Sequence, residues 1–130
     1  MNTAAVVGAY DTPVQIIPAP GVGYAIMLLS AQFITEVSTA FATGGDAQLQ
    51  YANTANAGGL VALDATTPSA EITASASQVY TQYGLPTTTA TATADITDLG
   101  IYFTNATGAF TNGTSSTVTV CASYMVIPAV

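Results

Sequence analysis

Threonine fills 22 of the 130 positions, and Val, Ile and Tyr add to a composition in which strong helix formers are few. Side chains branched at Cβ restrict χ1 and fit a pleated surface better than a helix, so the local bias of the backbone is towards strands. Gly, Pro, Asn and Asp interrupt that bias at intervals of about ten residues, as expected for many short antiparallel strands rather than βαβ units.

The turn signals divide the chain. Met1–Tyr10 is a small, apolar start, followed by a strand at Val14–Ile17 that ends in Pro18-Ala19-Pro20-Gly21. Prolines on both flanks suit an edge strand or an extended arm. The longest strand expected is Tyr24–Val37, whose first half, Tyr24–Leu29, is apolar at both parities and therefore expected to be covered on both faces. A loop at Ala42–Asp46 precedes Ala47–Tyr51, where alternation predicts Ala47, Leu49 and Tyr51 inward with Gln48 and Gln50 outward.

Asn53–Gly59 reads as a small-residue loop, Leu60–Leu63 as a short buried strand, and Asp64–Ser69 as a turn. Ala70–Tyr83 reads as short irregular structure, with Ala70, Ile72 and Ala76 suited to one helical turn and Gln78–Tyr83 to extended chain. The alternation of Thr and Ala over Thr87–Ala94 predicts a thin-faced strand. Leu99–Thr104 and Thr117–Ile127 are expected to close the chain as a hairpin with a long loop. The fold predicted is all-β: a single β-sandwich or jelly roll of about eight short antiparallel strands, spanning 21–130, with residues 1–20 as an N-terminal arm or edge strand.

Lys, Arg and His are all absent, and seven carboxylates leave a net charge of −7. The usual proton shuttles near neutral pH, Schiff-base amines and phosphate clamps are thus missing. The scattered carboxylates, one thiol and many hydroxyls that remain have no neighbouring base to activate a nucleophile, so an enzyme is not expected and no catalytic residue is assigned. The same absence removes the electrostatic attraction for nucleic acid and for anionic membrane surfaces. Asp95-Ile96-Thr97-Asp98 is the one close carboxylate pair, but it lacks a calcium loop's density of oxygen ligands and reads as a turn; no metal or cofactor is expected.

A single Cys121 permits no intrachain disulfide, and even-numbered apolar residues around it place Cys121 on the opposite face with Thr119, Ser123 and Met125. The start lacks a basic leader and its apolar runs are too short for a bilayer, so synthesis in the cytoplasm is expected. Asn105-Ala106-Thr107 and Asn112-Gly113-Thr114 then read as turns rather than glycosylation acceptors.

Half of the residues are apolar and charges are sparse, a composition that points to burial of surface between subunits. The alternative is a monomer whose 30 Thr and Ser hydroxyls hydrate its exterior. Candidate interface residues are Val6 and Val7 in the arm and the loop-flanking tyrosines Tyr10, Tyr24, Tyr80 and Tyr83.

Three segments carry a resemblance. Val14–Gly21, Gly44–Asn53 and Leu99–Thr107, with Thr117-Val118-Thr119-Val120 and Ser123-Tyr124 at the end, resemble small structural proteins of tailed bacteriophages, the capsid decoration or cement proteins. The resemblance implies a jelly-roll-like trimer on the outside of a capsid, bridging copies of the phage major capsid protein, with the virion as its location. Two other functions fit an all-β chain without catalytic residues: a tail-fibre or other filament subunit, and a carbohydrate-binding module, for which the usual Trp platform is missing.

Overall fold

The computed structural model describes residues 1–43, 46–64, 72–83 and 93–129. It is mostly strand, and every strand pairing is antiparallel. The strands are β1 (Val14–Ile17), β2 (Tyr24–Glu36), β3 (Phe41–Ala42), β4 (Ala47–Tyr51), β5 (Val61–Asp64), β6 (Gln78–Tyr83), β7 (Ile101–Asn105), β8 (Thr111–Asn112) and β9 (Thr117–Pro128). Two short helices, α1 (Thr3–Gly8) and α2 (Thr93–Ile96), complete the described elements.

One sheet has the order β1-β7-β4-β5, a second β6-β2-β9, and β3 and β8 form a small ladder. Their inner faces share one core, in which Phe33 of β2 meets Phe103 of β7 with ring centroids 6.5 Å apart. The accessible surface is 6326 Å², matching the ~6,300 Å² that mass scaling assigns to a compact chain of 13.0 kDa.

Several expectations are corrected. Met1–Tyr10 is not an arm reaching off the body. Asn2 caps α1 by accepting a hydrogen bond from the Ala5 amide at 3.0 Å, two alanines favour the helix, and its inner side places Val6 and Ala9 at zero exposure. Met1 and Val118 exchange backbone hydrogen bonds, and the Thr104 hydroxyl donates to the Ala9 carbonyl at 2.9 Å. A small apolar segment that finds core partners in its own chain has no need of a neighbour. Val14–Ile17 does form an edge strand, paired with β7 on one side.

The alternation assigned to β4 also fails, because all five of its residues are buried. Gln50 is held inside by donating to the carbonyls of Ala52 and Thr54 and accepting from the Gly59 amide, so its amide organises the following loop from within. The start of β2 is not covered on both faces: Met27 and Leu29 are about half exposed. At β5, Val61 is exposed, as is Leu60 before it, while Leu63 is buried.

The expected terminal hairpin does not exist either, since β7 lies in the four-stranded sheet and β9 pairs with β2 along almost its whole length. Thr93 and Ala94 belong to a helical turn rather than a strand. Residues 87–92 of that expected strand, with 65–71 and 44–45, lie outside the described residues.

Candidate interface on the three-stranded sheet

β6, β2 and β9 are in register, so residues line up in rows across the outer face. Val79, Ile34 and Thr119 form one row, Thr81, Gln32 and Cys121 the next, and Tyr83, Ser30 and Ser123 a third. A fourth row pairs Met27 with Met125, beyond the irregularity between Leu28 and Ser30 that leaves Leu29 outside the ladder. Such a bulge bends and twists the strand locally. Within the second row the Gln32 amide donates to the Thr81 hydroxyl at 3.3 Å.

None of these rows contains a charge. Glu36 bounds the face at one end, accepting from the Thr117 hydroxyl at 3.3 Å. Val79, Tyr83 and Met125 are exposed by 61%, 75% and 51%, which in water leaves a contiguous strip of apolar and hydroxyl-bearing side chains. The strip gains free energy when covered, and it carries no carboxylate whose desolvation would oppose that gain.

The six sequence-predicted interface residues are not brought together. Val6 is fully buried and presents no surface, which corrects its assignment to an interface; Val7 is half-buried against the core. Tyr10 follows α1, half-buried, with its carbonyl accepting from the Asn56 amide at 2.7 Å. Tyr80 is half-buried and pairs with Phe33 on the core side of its sheet. Tyr24, at the start of β2, and Tyr83, at the end of β6, are exposed on the sheet that carries the strip.

Met27, Leu29, Val79 and Met125 were missed. The parity that assigned Thr119, Cys121, Ser123 and Met125 to one face of β9 was the signal for Met125, and all four are exposed. No comparable signal marked Val79, because its environment depends on which strand lies beside β6.

Chemical groups elsewhere are dispersed. Among the described residues no three His, Cys, Asp or Glu side chains come close enough to hold a metal ion. Asp98 sits in a left-handed turn with φ 56° and accepts from the Gly21 amide at 3.0 Å, tying the loop after β1 to the one before β7. A shallow groove of about 300 Å³ between α1 and β1 is lined by Ala4, Ala5, Gly8, Thr12, Pro13 and Val14, none of which ionises. No described helix is long and apolar enough to cross a membrane. Comparison with family models, curated proteins and solved structures finds no match.

Proposed function

We propose that this protein is a non-catalytic structural component of a phage virion, a cement or decoration protein that binds the outer surface of the capsid as a homo-oligomer and bridges major capsid subunits. The observation that carries this reading is the uncharged strip across β6, β2 and β9, with Val79, Tyr83, Met27 and Met125 exposed. A capsid lattice offers the same contact many times, so a modest interface at each subunit sums to a large stabilisation of the shell. The sandwich supplies a rigid platform for that face, and the jelly-roll-like connectivity of the phage proteins belongs to the same reading. Sequence resemblance to decoration proteins supports the choice of a capsid over other lattices.

Capsids assembled without the protein test the proposal. Added chain is expected to bind at a fixed ratio to capsid subunits and to raise the temperature at which the shells release DNA. Tyr83→Asp, which places a charge in the strip, is expected to reduce that binding. Absence of the protein from mature heads, or binding unaffected by charge in the strip, overturns the reading.

A further inference from the structure

β9 is an edge strand of unusual character. Its first residues are covered on the free side, where Asn2 bridges Thr117 and Met1 bonds Val118. From Thr119 to Ile127 no described residue pairs with that side. Natural sheets protect such an edge with Lys, Pro, an inward charge or shortness, and this stretch has none of these before Pro128.

Its inner face is also unfinished. Val118 is buried, but Tyr124 and Val126, on the same side of the strand, are about half exposed, whereas their partners Leu28 and Ile26 on β2 are buried. The far half of β9 thus overhangs the core at the margin of the sheet, open on its edge and incompletely covered below.

We propose that two copies of the chain pair antiparallel through their β9 edges, forming a continuous six-stranded sheet across a two-fold axis. Charge directs a second copy to this edge rather than to another part of the surface. The chain carries −7 and no cation, so contacts through its carboxylate-bearing surfaces would oppose like charges, whereas residues 117–129 contain no ionisable carboxylate side chain. Edge pairing also satisfies the free backbone groups of both copies at once.

Geometry restricts the register. In a continuous sheet the outer faces of both copies stay outer, and odd-numbered residues of β9 occupy that face, so each residue must oppose one of the same parity. The two-fold axis therefore passes through a residue, which faces its own copy. The centre of the open stretch is Ser123. Opposed residues in an antiparallel pair lie roughly 4.5 to 5.5 Å apart at Cα, within disulfide reach, whereas Cys121 would sit about 14 Å from its copy.

The pairing is independent of any capsid, so the purified chain alone tests it. Sedimentation at micromolar concentration is expected to give twice the 13.0 kDa chain mass. In a Cys121→Ser background, single cysteines at positions 119, 123 and 125 are oxidised in turn, and efficient cross-linking confined to Ser123→Cys is expected. Ser123→Lys should sediment as a folded monomer, because Ser123 is exposed in the single chain, and its melting temperature should fall only by the stabilisation that the dimer contributed. A monomer or a trimer in the parent chain, equal cross-linking at all three positions, or a Ser123→Lys variant that stays dimeric overturns the proposal.

Discussion

The hydroxyl of Tyr51 donates a 2.7 Å hydrogen bond to the carbonyl of Ile26, joining β4 of the four-stranded sheet to β2 of the three-stranded sheet through the core. Tyr51 is 8% exposed, and burial raises its pKa above the ordinary tyrosine value by disfavouring the phenolate. Tyr51→Phe removes the bond between the sheets while keeping the ring, so a loss of about 1 kcal/mol in denaturant unfolding is expected.

The same residue predicts an alkaline effect. A raised folded-state pKa means the native chain holds this proton at pH values where the unfolded chain has released it. The contribution of Tyr51 is therefore fully present below pH ~10 and declines as pH rises from there through the folded-state value. Unfolding free energies measured between neutral pH and pH 11 should fall more steeply for the parent than for Tyr51→Phe. Parallel curves would show that the phenol ionises equally in both states.

The N-terminal helix provides a prediction opposite to that for a free arm. Val6 and Ala9 are fully buried, and Met1 bonds to the start of β9. Deleting residues 1–11 should cause a large loss of thermal stability or outright unfolding. Val6→Ala is the gentler version, with an expected cost of about 1 to 3 kcal/mol for the lost methyl groups and the cavity left behind. A truncated chain that melts like the parent would show that the helix is dispensable.

Strand positions were legible where local chemistry decides them. Val14–Ile17 and Ala47–Tyr51 are strands as their flanking Pro and Gly and their alternation predict, and Gln78–Tyr83 is extended as its composition suggests. The facing of Gln50 was not legible, because its burial depends on the carbonyls of Ala52 and Thr54 turning back towards it. Nor was the sheet membership of β7 and β9, since adjacent strands in sequence form a hairpin unless other strands compete successfully for their edges. Here β4 and β1 take β7, while twelve registered pairs with β2 hold β9. The interface strip is a consequence of that partnering, so only its β9 row of alternating residues could be read in advance.

Gly113 should be intolerant of any side chain. It follows Asn112 in a turn where both residues have positive φ, 78° and 61°, and an added Cβ would lie 2.2 Å from a ring carbon of Phe41. Phe41 is itself buried against Phe110, with ring centroids 6.1 Å apart, and cannot easily yield. Gly113→Ala is expected to cost about 2 to 4 kcal/mol from backbone strain and overpacking together. Asn112→Gly, at the other positive φ, should be nearly neutral by comparison. Thermal melts of the two variants measure the difference directly.

Asn105 tests how the core accommodates an unpaired polar group. It ends β7 opposite Ala47, is fully buried, and neither its Oδ1 nor its Nδ2 has a hydrogen-bond partner among the described residues. The backbone around it is well held, with the next residue, Ala106, donating its amide to the Asp46 carbonyl at 2.8 Å. Burying an amide without partners costs roughly 1 to 3 kcal/mol, and an apolar side chain of similar volume avoids that cost. Asn105→Leu is accordingly expected to raise the unfolding free energy by about 1 kcal/mol, after allowance for the imperfect match of shape. Asn105→Ala should instead destabilise the fold, because it leaves a cavity and restores no contact. If Asn105→Leu also proves destabilising by more than about 1 kcal/mol, the amide makes a hydrogen bond in solution that outweighs the benefit of an apolar replacement.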